Sequence, residues 1–172
     1  MIRYTQEPAY VLKRTAYREQ QYLLDLLTQN HGIVRAVSRI PNQKTHRQTS
    51  LHVPFQKFLL TGQRRHELIT VTHTDLAHSF HIENKNLLLA YYLNETILGL
   101  LPPDYSEPEL FKLYECTLNN LNAKSLRYFE YQILHQLGLW PEIPLQAPIT
   151  NSANYITPLF SLLVPVVMTP NL

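Results

Sequence analysis

Between Asp25 and Glu67 the chain carries no carboxylate, yet that interval holds Arg35, Arg39, Lys44, Arg47, Lys57, Arg64 and Arg65. A run of one sign raises the local potential and attracts polyanions, phosphate backbones being the commonest. Arg35, Arg39, Lys44, Arg47, Arg64 and Arg65 are therefore the candidate phosphate contacts. The competing explanation is a basic stretch that is merely solvated. Divided at residue 75, the chain has 11 Lys+Arg against 5 Asp+Glu before the cut and 4 against 8 after it, so +6 and −4 lie behind the overall +2. Tyr10, Tyr17, Tyr22, Phe55 and Phe58 share the basic half, and any of them left exposed could stack on a nucleic-acid base. Phe55 and Phe58 sit in an apolar run and are expected in the core.

Bond-making chemistry finds little support. With four glycines in 172 residues there is no Gly-rich phosphate cradle, nucleophile elbow or Walker-type lysine. Cys116 stands mid-helix among apolar neighbours and is expected to be a buried structural thiol. As the single cysteine it excludes an internal disulfide and a multi-thiolate zinc site. His73, His78 and His81 are close in sequence but lack partners at ligand spacing, so neither metal nor cofactor is expected. The residues point to a binding protein, with no catalytic side chain to nominate.

The elements that must position those cations read as short strands followed by helices. Strands are expected around residues 10–14, 22–28 and 33–39, with a turn at Asn30-His31-Gly32. In the third, Arg35, Val37 and Arg39 share one face, while Val34, Ala36 and Ser38 share the other. Residues 41–48 are polar and read as an exposed loop. Two further strands, 53–61 and 67–74, flank Gly62-Gln63-Arg64-Arg65-His66, which is expected to be a hairpin tip. Five short strands in so short a span suggest a small antiparallel barrel of OB-fold size.

Beyond residue 83 the hydrophobic period becomes helical. Residues 86–101 are apolar almost all round and predict a central, buried helix ending before Pro102-Pro103. Ser106 and Glu109 fit a capping box for a second helix, and a third is expected over 124–137, stopped by Gly138. The proline-punctuated end, from Pro141 to Pro170, predicts an irregular tail. The expected architecture is α+β: a five-stranded OB-fold-like barrel over 1–80 followed by a helical bundle domain over 81–172. No stretch has the apolar length of a membrane span and the start lacks a secretory signal, so a cytoplasmic, nucleoid-associated protein is expected.

Taken together, Ala9-Tyr10-Val11-Leu12, Tyr17-Arg18-Glu19, the run from Leu23 to Thr28 ending at Gly32, Pro54-Phe55 and Glu67-Leu68 resemble the opening strands of the RecO family of bacterial recombination mediator and DNA repair proteins. Tyr92-Leu93-Asn94-Glu95, the run from Pro108 to Tyr114, and Leu126-Arg127-Tyr128-Phe129-Glu130 continue that likeness in order and spacing. The resemblance implies a barrel that binds single- and double-stranded DNA. It also implies a protein of RecF-pathway repair that anneals complementary strands and helps load RecA on strands coated by single-strand-binding protein, with RecR as partner. Arg127 stands where the family places an arginine that receives the acidic carboxy-terminal tail of single-strand-binding protein. The alternative is a helix-surface arginine paired with Glu130. After the third strand the family pattern Ala-Lys-Gly-Ala-Arg is replaced by Ser38-Arg39-Ile40-Pro41-Asn42, and the cysteine-rich zinc motif of many members has no counterpart here. Two other functions remain open on the residues alone: a protein–protein adaptor with a structural barrel, and an RNA-binding OB module.

Overall fold

A computed structural model of the chain describes residues 2–39 and 53–140. Five strands are formed: β1 (Ile2–Arg18), β2 (Gln21–Thr28), β3 (Gly32–Arg39), β4 (Gln56–Arg65) and β5 (Leu68–Ser79). They close into a barrel in the order β1-β2-β3-β5-β4, with β4 returning to pair with β1. Every pairing is antiparallel except β3 with β5, which run parallel where Arg35 meets Leu68 and Val37 meets Thr70. The small antiparallel barrel expected from sequence is present, and its one parallel joint has a geometric reason. Directions cannot alternate all the way round a closed ring of five, so at least one adjacent pair must be parallel.

The 17-residue β1 serves two neighbours. Its residues 2–10 pair with β4 and residues 9–18 with β2, and its register slips between Tyr4 and Glu7, Val11 and Lys13, and Ala16 and Arg18. Bulges of this kind bend a strand and tighten its twist, which lets β1 curl around the barrel. Inside, Leu24 and Leu26 of β2 oppose Ala36 and Val34 of β3, and Phe58, Leu60 and Ile69 complete a dry centre. Each such large side chain contributes on the order of 1.5–3 kcal/mol by burial. The alternation expected in β3 holds, since Val34, Ala36 and Ser38 are buried while Arg35 and Arg39 are exposed.

The expected hairpin tip at residues 62–66 is displaced. β4 runs on through Gly62 to Arg65, and His66 and Glu67 make the turn. Gly62 marks a close approach rather than a turn: a Cβ there would stand 2.6 Å from the Thr70 carbonyl oxygen of β5. The β2–β3 turn at residues 30–32 is where the sequence places it. The Glu7 carboxylate holds it, accepting hydrogen bonds from the Asn30 amide N–H (2.7 Å) and Nδ2 (2.9 Å).

A short 3₁₀ turn (Asn84–Asn86) leads into α1 (Leu87–Leu100), followed by α2 (Pro108–Asn119) and α3 (Ala123–Gln136). α1 is not buried all round. Ala90, Leu93, Asn94 and Ile97 form the buried stripe that a 3.6-residue period dictates, whereas Leu88 is 82% exposed and Leu87 and Tyr91 also face outward. In that stripe Asn94 Nδ2 donates to the Leu12 carbonyl of β1 (2.9 Å), and the Tyr114 hydroxyl of α2 donates to Asn94 Oδ1 (2.7 Å). One buried amide thus joins strand, helix and helix.

The capping box is also corrected. α2 begins at Pro108, and Ser106 Oγ instead donates to the Asn30 carbonyl of the β2–β3 turn (2.9 Å). Proline at the first helical position has no N–H to cap and a φ already suited to the helix. At the end of α3, Leu139 N–H reaches the Leu134 carbonyl and Gly138 N–H that of His135, the paired bonds of a Schellman stop. The chain forms two compact units, Met1–Glu130 and Tyr131–Leu172, and the barrel, α1 and α2 all fall within the first. Among the described residues no helix is long and apolar enough to cross a membrane. The expected proline-rich tail lies outside the described residues.

Candidate functional site

A groove of about 570 Å³ opens on the barrel between the β1–β2 turn, the end of β3 and the β4–β5 hairpin. Arg18 comes from the last residue of β1, Arg39 from the last of β3 and Arg65 from the last of β4. The barrel brings together what the sequence separates, because Arg18 and Arg39 both oppose Gln21 in the ladders and Arg65 opposes Leu68. Val37, Leu68 and Val71 supply an apolar floor, with Thr70 and Thr72 beside it. Among the described residues no carboxylate lies within ion-pair distance of these three arginines. Like charges gathered without a counter-charge raise the potential of a cleft and favour an anionic occupant. Tyr17 lies in the same groove, 44% exposed, with the Arg18 guanidinium 5.2 Å from its ring centre.

The six candidate phosphate contacts separate into groups. Arg39 and Arg65 meet in the groove. Arg35 lies on the outer face of β3 opposite Asp25, its Nε 3.0 Å from Asp25 Oδ1. Arg64 is engaged in the fold: its Nη1 and Nη2 bind Asp104 Oδ1 (2.6 Å) and Oδ2 (2.8 Å), and its Nε donates to the His66 carbonyl (3.2 Å). That bidentate contact raises the Arg64 pKa and holds the Asp104 carboxyl below its usual range. Asp104 also donates its amide N–H to the Ile33 carbonyl, so the pair fastens the loop between α1 and α2 to the barrel. Lys44 and Arg47 lie outside the described residues.

Arg18 escaped the sequence argument because Glu19 and Asp25 follow it closely, placing it outside the carboxylate-free interval. Only the turn of β1 into β2 brings it beside Arg39. Of the five candidate aromatics, Tyr10, Phe55 and Phe58 are buried, and Tyr22 packs partly against the core with Arg14 over its ring at 4.8 Å. Tyr17 is the one with an open face.

On α3, Arg127 Nη1 lies 2.7 Å from Glu130 Oε2, the arginine side chain being 54% exposed and the glutamate 3%. Burial, and after it the Glu130 carboxylate, raise the pKa of the Tyr92 phenol. The pairing with Glu130 foreseen from the sequence is present. Cys116 is exposed, contrary to expectation, because the buried stripe of α2 runs through Leu110, Tyr114, Thr117 and Leu118 and passes it by. His73 Nε2 lies 3.0 Å from Asp75 Oδ1 and His78 packs edge-on against Phe80. Among the described residues no group of three or more His, Cys, Asp or Glu side chains is gathered as for a metal ion.

Two family profiles match this chain: one described as Recombination protein O N terminal over residues 1–80, and one described as Recombination protein O C terminal over 84–143. Among curated proteins it is 35% identical over 138 residues to the DNA repair protein RecO of Cellvibrio japonicus, a match spanning 77% of this chain and 58% of that protein. It is 35% identical over 144 residues to the RecO of Nitrosococcus oceani, spanning 80% and 58%. With the RecO of Pseudomonas putida it shares 37% identity over 138 residues, spanning 77% and 59%. The chain thus spans somewhat under two thirds of the length of these relatives.

Proposed function

Because this chain belongs to the RecO family, we propose that it is a DNA-binding recombination mediator of RecF-pathway repair, one that anneals complementary strands and helps load RecA on DNA coated by single-strand-binding protein. The observation that carries the proposal is the groove in which Arg18, Arg39 and Arg65 converge without a carboxylate partner among the described residues, beside the exposed ring of Tyr17. OB barrels take oligonucleotides along the face flanked by the β1–β2 and β4–β5 turns, and this groove occupies that position. Arg39 and Arg65 hold phosphates, with Arg18 joining them.

Pairing two strands requires no bond to be made. Each phosphate neutralised releases condensed counterions and lowers the repulsion between approaching strands, so bound cations serve annealing without nucleotide, metal or cofactor. Residues 1–80 form the DNA-binding domain in this scheme. The part from residue 81 onward, with its helices α1 to α3, receives RecR and, at Arg127, the acidic tail of single-strand-binding protein. The half-exposed Arg127 side chain, held by a buried carboxylate, carries the planar guanidinium suited to a carboxylate ligand. The site of action is the cytoplasm, on the nucleoid.

The test is annealing of complementary oligonucleotides without nucleotide or divalent ion, together with a salt titration of DNA binding. Acceleration of annealing and affinity that falls steeply with salt are expected. A chain that binds the acidic tail peptide but ignores DNA at low salt would instead be an adaptor.

A further inference from the structure

We infer that Tyr17 is the base-stacking platform of the groove and that Arg18 occupies its face until an unpaired base arrives, so that these two residues bias the site toward single-stranded DNA. The inference rests on the DNA-binding role proposed above. It starts from the ladder between β1 and β2, where Ala16 opposes Tyr22 and Arg18 opposes Gln21, leaving Tyr17 as the extra residue of a bulge. In a regular strand successive side chains point to opposite faces. A bulge re-aims one of them, and here Tyr17 and Arg18, adjacent in sequence, both line the same groove.

The exposure of Tyr17 is the second observation. Tyr10, Phe55 and Phe58 are buried, while Tyr17, at the end of a strand beside three cations, keeps 44% of its surface open. Its ring is covered in part by the Arg18 guanidinium, 5.2 Å from the ring centre. At an exposed site a cation–π contact is weak, and stacking of a nucleobase is stronger, so a base displaces the guanidinium. The released Arg18 is then free to take a phosphate beside Arg39 and Arg65. A duplex offers no free base face, since its bases stack on one another, and so draws only on the arginines.

The experiment measures affinity for a labelled thymidine oligonucleotide and for a duplex, each over a range of salt, with the full chain. Tyr17→Ala is expected to weaken single-strand binding about tenfold, the order that loss of one stacked base produces, with the salt slope and duplex affinity unchanged. Tyr17→Phe keeps the platform and is expected to match the unaltered protein. Arg18→Ala keeps the ring and lowers the single-strand salt slope by about 0.7. Equal losses on single strand and duplex in Tyr17→Ala, or a loss in Tyr17→Phe as large as in Tyr17→Ala, would overturn the inference. Photocrosslinking of the unaltered protein to an oligonucleotide carrying 5-iodouracil decides independently of any variant's folding: a crosslink at Tyr17 supports the platform, and crosslinks confined to other residues reject it. Absence of DNA binding by the unaltered protein would instead remove the DNA-binding role itself.

Discussion

Arg64 is the residue at which charge pattern and three-dimensional structure lead to opposite expectations. As one of a basic pair beside a hairpin turn it belongs with the phosphate contacts, yet its side chain is only 19% exposed and bound to both oxygens of Asp104. Two charge-assisted hydrogen bonds on a buried carboxylate would contribute about 3 kcal/mol or more, and a fully exposed pair about 0.2–1 kcal/mol. Asp104 is 49% exposed, so solvent screening places the coupling between these extremes, at roughly 1–1.5 kcal/mol. Arg64→Ala, which also frees the His66 carbonyl, is expected to cost about 2 kcal/mol, and Asp104→Asn about 1 kcal/mol. Urea denaturation of both single variants and the double variant yields the coupling as a double-mutant cycle.

The pH dependence has a definite sign. The folded Asp104 carboxyl is depressed by the Arg64 hydrogen bonds, so its contribution is present above the unfolded value of about 3.9 and is lost as pH falls through the lower folded value. The gap between the unaltered protein and Asp104→Asn should therefore be full at pH 7 and close in acid below about pH 4. In DNA binding, Arg64→Ala should keep the salt slope, while Arg39→Ala and Arg65→Ala each lower it by about 0.7 for single strands. A stable Arg64→Ala with a slope reduced as far as that of Arg65→Ala would refute the structural role of the pair.

Asn94→Ala should cost roughly 2–4 kcal/mol in denaturant, because it strands the Leu12 carbonyl and the Tyr114 hydroxyl in a buried setting; a loss below 1 kcal/mol would mean that water replaces the amide. Gly32→Ala should destabilise by about 2 kcal/mol or more, since the position has φ +66 and its added Cβ meets the Tyr105 carbonyl; a calorimetric Tm within a degree of the unaltered protein would count against that crowding. Arg127→Ala should weaken binding of an acidic tail peptide in fluorescence anisotropy and also cost about 1–3 kcal/mol by leaving Glu130 a buried carboxylate without its arginine. Unchanged peptide affinity in that variant would leave Arg127 with its structural part alone. Cys116 should react with a maleimide in the native protein at a rate close to that in urea, a comparison that distinguishes the exposed thiol from a buried one.

Local pattern was enough to determine the kind of elements and their order. The alternation of Val34, Ala36 and Ser38 against Arg35 and Arg39 marks β3 as a strand with a wet outer face, and the apolar spacing beyond residue 83 marks helices, because periods of two and 3.6 follow from backbone geometry alone. Charge segregation also showed in the bare sequence, since a carboxylate-free interval needs no fold to be seen. Only the tertiary structure decided which cations are available. The β1–β2 turn and the closing of the ring bring Arg18 to stand with Arg39 and Arg65, and the docking of the α1–α2 loop on the barrel brings Asp104, 40 positions away, onto Arg64. Ring closure also turned Gly62 from an apparent turn residue into the place where β4 touches β5 and forced the parallel β3–β5 joint, while the docked α1–α2 loop took Ser106 from its helix cap to the Asn30 carbonyl. Each of these depends on residues far apart in the chain, and a sequence read in windows holds no information about which distant backbone will arrive at a given side chain.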